Sequence, residues 1–397
     1  LDNLLLSFES GKTDAPMSDN YLAVLAVKAV VALQKDDLQA CVALARKIES
    51  QLGKHNAFLE VATLIIGALA HVVLIQPEHA RRLLALAQQR NHFLEGRYLG
   101  MQLVNVEILM ALEQGQLKQA QLLFAQLRTR VLPWFGEKSR ASALPAISEA
   151  LIAYQQGELL GLEDKLNWAL ATVDVIKPID LYAQAMLCLA RTQRMQNMPR
   201  EAMASLALMQ SLAARNQSWR FYAQALGEEI ALILQEPATD RLKRAEQRLQ
   251  SFEWLKRAEQ YQPASFNPVL WVHGLTRVRL QQARGNYSEA LHEITQLRTL
   301  LQPNWHGLQR LRLDLLASLS YQRLGYQERG QSLLQQCLQH AEREGLRSVF
   351  IEEGEAIRQM LVQLESAERQ PALQGFVRSV LALWPGLRAA KVGEPLE

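Results

Sequence analysis

Apolar side chains recur three and four positions apart along nearly the whole chain, the spacing of one face of an α-helix. Leu38, Cys41, Val42, Leu44 and Ala45 fall on one side of such a helix, and Leu117, Ala120, Leu123, Phe124 and Leu127 do the same. Strong helix formers fill the polar positions. β-Branched residues never alternate with polar ones for long, so strands are not expected. Breaks fall at Gly53, Gln76-Pro77, Gly96, Leu132-Pro133, Gly157, Lys177-Pro178, Met198-Pro199, Gly285 and Gly325. A first helix over Tyr98 to Glu113, for example, ends at Gly115, which can take the left-handed conformation of a helix stop; a second begins near Leu117.

One small-residue turn returns about every forty residues. It is clearest in Gly285-Asn286-Tyr287-Ser288-Glu289-Ala290 and Gly115-Gln116-Leu117-Lys118-Gln119-Ala120, with looser copies ending at Ala40, Ala80, Leu162, Ala202, Ala245 and Gly330. A fixed period of this size marks stacked repeats in which neither helix hides its apolar face alone. Eight anchors imply about sixteen repeat helices. The copy at Gly285, Tyr287 and Ala290 matches the Gly, aromatic and Ala positions of the tetratricopeptide turn, and the long period implies lengthened helices. The expected fold is all-α: a right-handed superhelix of stacked antiparallel, tetratricopeptide-like pairs. The charged unit around Ala245 fits the pattern least well.

The same breaks divide the chain. Residues 1–20 read as an N-terminal adaptor, 21–345 as the superhelical repeats, 346–390 as C-terminal capping helices, and 391–397 as a linker to a further domain. A first residue of Leu rather than Met is expected of a piece of a longer polypeptide.

Composition narrows the function. Apolar residues at 49 % supply a continuous core, while 43 basic and 40 acidic side chains leave a net charge of only +3, too balanced for direct nucleic-acid binding. Cys41, Cys188 and Cys337 are odd in number and widely spaced inside helical patterns, which points to a reducing, cytoplasmic compartment. The apolar run from Val61 to Ile75 is too short to span a bilayer, so no membrane partner is expected.

No catalytic or metal site emerges. Gly11-Lys12-Thr13 ends like a phosphate loop, but Leu6 stands where its first glycine belongs. His292-Glu293 is followed by Gln296 rather than a second zinc-binding His, and neither a Cys-x-x-Cys pair nor a serine elbow occurs. The chain is therefore expected not to be an enzyme.

The segment Gly345-Leu346-Arg347-Ser348-Val349-Phe350-Ile351-Glu352-Glu353-Gly354, followed by Ile357, Met360, Leu361 and Leu364, resembles the closing repeat of MalT-like regulators. These are LuxR-family transcription activators of the signal-transduction ATPase class. The resemblance implies an inducer-sensing and self-association module that responds to a small-molecule inducer or a regulatory protein. It also implies no cofactor in this portion, with ATP and DNA left to an N-terminal ATPase domain and a C-terminal helix-turn-helix. A tetratricopeptide scaffold that grips a peptide or partner protein is the alternative. In tetratricopeptide arrays the first helix of each pair lines the groove, at positions eighteen, fifteen and eleven residues before the anchor. This selects Gln102 and Asn105, Gln184 and Arg191, Arg279, and Arg312 as candidate ligand-binding residues, with Trp271 as a nearby aromatic; the alternative is that these polar groups hydrogen-bond to adjacent helices.

Overall fold

The computed structural model describes residues 19–50, 56–94, 96–130, 132–136, 138–173, 179–261, 266–302, 305–367 and 371–384. Among these residues there are twenty α-helices and no strand. Sixteen of them form eight pairs. The first four pairs are α1 (Asp19–Gln34) with α2 (Leu38–Glu49), α3 (Ala57–Val73) with α4 (Pro77–Leu94), α5 (Arg97–Glu113) with α6 (Leu117–Arg130), and α7 (Ala143–Gln156) with α8 (Leu162–Val173). They continue as α9 (Ile179–Met195) with α10 (Pro199–Arg215), and α11 (Trp219–Gln235) with α12 (Arg241–Gln250). After the short α13 (Trp254–Ala258) come α14 (Pro268–Arg284) with α15 (Tyr287–Thr299), and α16 (Gly307–Arg323) with α17 (Gln327–Glu344). The C-terminal helices are α18 (Ser348–Glu352), α19 (Glu355–Ala367) and α20 (Pro371–Leu381). The phosphate-loop-like Gly11-Lys12-Thr13 lies outside the described residues.

Seven of the eight pairs turn by the same device. The backbone N–H of the turn residue bonds three residues back and the next N–H bonds five residues back, as in Gly115 to Leu112 and Gln116 to Ala111. This double bond satisfies carbonyls that a helix end leaves open, and it requires one residue with positive φ. Gly115, Gly157, Gly285 and Gly325 supply it, but Asp36, Ile75 and Asn197 do the same with φ between 56° and 62°. A left-handed non-glycine residue costs about 1–2 kcal/mol. For Ile75 that cost is offset by burial of its side chain, and its carbonyl accepts from Gln302 Nε2 at 3.4 Å. The exception is the α11–α12 pair, whose turn is extended at Glu236.

Ala80, Ala120, Ala202, Ala245 and Ala290 are fully buried where paired helices meet, as the repeat pattern requires. In the first pair the anchor shifts by one residue. Ala40 is half-buried, while Cys41 is fully buried and its thiol reaches the Ala29 carbonyl at 3.6 Å. Burial pushes the Cys41 and Cys188 thiols up to about 12, so both behave as small apolar groups.

The array curls until its early and late pairs meet. Gly307 at the start of α16 sits directly against the end of α5, and the turn at Asp36 contacts Arg220 and Gln260. The C-terminal helices close on α7, where the Arg347 backbone N–H donates to the Gln155 carbonyl at 2.8 Å. The core runs as two large apolar bodies, one joining early pairs to α11–α16 and one joining α6–α10 to α17 and the C-terminal helices, with a small third cluster of Tyr21, Leu22, Leu25 and Ile48 in the first pair. Helices α5, α11 and α16 contribute to both, so the two are faces of one superhelix rather than separate cores.

Candidate functional site

The first helices of the later pairs point one face at the superhelix interior and enclose a cavity of about 210 Å³. Helix α9 contributes Gln184, Leu187 and Arg191, spaced three and four residues apart so that they share one face. Helix α14 adds Trp271 and Arg279, and α16 adds Gln309 and Arg312. One wall is aromatic, with Phe266 packed on Trp271 and His306 at ring-centroid distances of 6.1 and 4.9 Å. Further along α14 and α16 the lining is charged, at Arg279 and Arg312.

That charged lining is part of one connected network. Arg191 Nη2 donates to Glu228 Oε1 at 2.5 Å. Arg279 donates through Nε and Nη2 to both oxygens of Glu353, at 3.0 and 2.7 Å. Arg312 bridges the turn, donating from Nε to Glu353 Oε1 at 3.1 Å and from Nη2 to Glu352 Oε2. Tyr154 OH donates to the other Glu352 oxygen at 2.8 Å. Burial alone would raise the Glu352 carboxyl, but Arg191 and Arg312 overcome it and hold the group down to about 2. Glu228 is likewise held below the usual carboxylate range by Arg191 and Arg194 against its burial. At Glu113 the balance reverses: burial outweighs its bond from Gln309 and the nearby Arg312 and Arg191, and its carboxyl is raised.

Several polar atoms of residues lining the cavity have no hydrogen-bond partner among the described residues: Arg191 Nε, Gln224 Oε1, Gln309 Oε1 and His306 Nε2. The His306 Nδ1 accepts the Gln302 backbone N–H at 2.9 Å, so Nε2 carries the ring proton. Burial pushes His306 down to about 4. Its folded value lies below the unfolded one near 6.5, so the folded state binds fewer protons; the contribution is full above pH 6.5 and is lost as pH falls toward 4. The loss amounts to about 3 kcal/mol at about 1.4 kcal/mol per unit. Urea melts of the wild type and His306→Gln at neutral pH and at pH ~4.5 are expected to show a steeper acid loss in the wild type. Equal losses would show that His306 stays protonatable in the folded state.

Of the sequence-derived candidates, Gln184, Arg191, Trp271, Arg279 and Arg312 line this cavity together. Gln102 and Asn105 do not. Asn105 is buried and accepts from Ser148 Oγ at 3.0 Å, a bond that ties α5 to α7. On α5 the cavity is reached instead by Leu109, Leu112 and Glu113, because the end of this helix approaches α16. Sequence reasoning also passed over Tyr154, Glu228, Glu352 and Glu353. The last two lay inside the phenylalanine–acidic–glycine segment, a visible signal that carried no spacing relative to the arginines.

The sequence profile of the MalT-like TPR region matches residues 23–367. The chain belongs to the MalT-like TPR family. No curated protein sequence matches it. Among solved structures, this MalT-like TPR chain is similar to a Rap protein complexed with competence and sporulation factor. That likeness has 13 % identity and a TM-score of 0.59, and it covers 92 % of this chain and 98 % of that one. At such identity it shows the helical-repeat fold alone. Among the described residues of the MalT-like TPR superhelix, no helix is long and apolar enough to cross a membrane.

Proposed function

We propose that this superhelix is the inducer-sensing and self-association module of a LuxR-family transcription regulator, working in the cytoplasm, with a small polar inducer held in the interior cavity. ATP and DNA are bound by other domains of such a regulator. The family membership supports the role, and one observation carries the site: unpartnered donors and acceptors of Arg191, Gln224, His306 and Gln309 surround a cavity with an aromatic wall. A buried polar group left unpaired costs about 1–3 kcal/mol, so a ligand that satisfies several of them binds the closed superhelix preferentially. A volume of about 210 Å³ suits a small molecule. The neighbour complexed with competence and sporulation factor favours a second reading, in which a partner segment enters the same interior after the seam between α5 and α16 opens.

The test is a melting-temperature screen of the chain against small polar metabolites. A ligand at a hundred times its Kd stabilises by about 2.7 kcal/mol. That gain is expected to vanish in Gln184→Ala with Gln224→Ala, two side chains outside the ion-pair network. Hits indifferent to both changes, or no hit at all, would remove the cavity as the sensing site.

A further inference from the structure

The turn between α18 and α19 enters the superhelix interior as a ligand would. Glu352 and Glu353 come from the C-terminal helices, yet the cations that hold them come from α9, α14 and α16 of the repeats. Both carboxylates are only 2 % exposed. Arg279 takes Glu353 in the two-pronged geometry by which guanidinium recognises a carboxylate. On the far side of the turn lies a second cavity of about 430 Å³, reached by Arg194, Tyr287 and Trp384. Arg279 faces both cavities, so the acidic turn and its arginines form the partition between them.

The partition leaves guanidinium donors unpaired. Four guanidiniums, on Arg191, Arg194, Arg279 and Arg312, form ion pairs with three carboxylates, on Glu228, Glu352 and Glu353, while the nearby Glu113 accepts from Gln309 instead. Arg194 is only 10 % exposed and has Glu228 no nearer than 3.9 Å. Its Nη2 has no hydrogen-bond partner among the described residues, and neither has the Nε of Arg191. An unpaired donor therefore stands on each side of the acidic turn. Buried guanidinium N–H groups without acceptors favour an additional anion.

We infer that Arg191, Arg194, Arg279 and Arg312 form an anion-binding cage whose resident anion is the chain's own Glu352-Glu353 turn, and that the inducer is a small polyacid which displaces it. The inference rests on the sensing role proposed above and names the ligand class for the same interior. The turn is continuous with α18, whose start is pinned to α7 by Ser348 Oγ donating to Gln155 Oε1 at 2.9 Å. Displacing the turn therefore loosens the C-terminal helices and converts ligand binding into a change at the C-terminal end of the superhelix. Because turn and ligand compete for the same donors, the apparent affinity is the intrinsic one reduced by the fraction of molecules in which the turn is out.

Citrate, a tricarboxylate, serves as the probe in calorimetric titrations of the whole chain. Glu353→Gln keeps the size of the side chain and removes its charge. It is expected to bind citrate about tenfold more tightly than wild type, because the turn competes less well. Adding Arg279→Gln is expected to abolish the gain. In wild type, saturating citrate is expected to speed amide hydrogen exchange across residues 348–384 and leave α1–α4 unchanged. A folded Glu353→Gln that binds citrate no better than wild type overturns the inference. If that variant does not fold, the wild-type exchange experiment decides alone, and unchanged or slowed exchange over 348–384 overturns it. A neutral metabolite that stabilises wild type and Glu353→Gln equally removes the polyacid and leaves the sensing role standing. The citrate result is independent of the metabolite screen, so a failure of the sensing role is read separately.

Discussion

Replacing Arg220 with leucine is expected to destabilise the protein by about 3–5 kcal/mol, the cost of leaving buried carboxylates without their cation. Arg220 sits in the first turn of α11 and is 4 % exposed. Its Nε donates to Asp36 Oδ1 at 2.5 Å, and Nη2 lies 2.7 Å from Asp180 Oδ1. Tyr261 OH donates to the second oxygen of Asp36 at 2.5 Å and accepts the Arg220 backbone N–H at 2.9 Å. One guanidinium thus ties the turn of the first pair to the starts of α9 and α11. Burial already raises Asp36 to about 6 despite Arg220 and Tyr261, so removing the cation leaves only the Tyr261 hydroxyl to oppose desolvation. Urea denaturation of Arg220→Leu measures the loss. Adding Asp36→Asn and Asp180→Asn should recover a large part of it, because neutral amides do not need the cation. A single variant within ~0.5 kcal/mol of wild type would show that this contact contributes nothing to closing the superhelix.

Gly307→Ala is expected to open the seam between α5 and α16 at a cost of about 3 kcal/mol, the upper part of the range for overpacking. A Cβ at this position would lie 1.9 Å from the Gln114 carbonyl oxygen and 2.7 Å from its carbon. Both obstacles are backbone, so neither can rotate aside, and the helices must part. With them goes the bond from Gln309 to Glu113 beside the cavity. Denaturation curves give the energy, and small-angle scattering should show a larger radius of gyration for the variant. Unchanged scattering together with unchanged stability would mean that the two helices are not in contact in solution.

Helix spacing, pair order and anchors were legible because they are local. Apolar residues at helical spacing, a turn device within six residues and, in all pairs but the one anchored by Leu162, one small residue repeat along the chain, so the eight pairs could be counted before any contact was known. Within the repeat pattern, local cues misled where another residue did the same work. Asp36, Ile75 and Asn197 take the left-handed turn position without being glycine, and Cys41 takes the small anchor position beside Ala40. Counting back from the anchors found Gln184, Arg191, Arg279 and Arg312, since their orientation follows from helical phase within a single pair.

The sequence by itself therefore determined an all-helical array of eight pairs and which faces of most first helices turn inward. Only the tertiary structure decided that the array closes, that Gln102 and Asn105 stay out of the cavity, and that Glu352 and Glu353 fill the arginine cage. Closure depends on small rotations between successive pairs, and these sum over the array to bring Asp36 to Arg220 across 184 residues and Tyr154 to Glu352 across 198. No periodicity encodes such a sum. Charge pairing across the interior is legible only once the curvature has set which helices face each other.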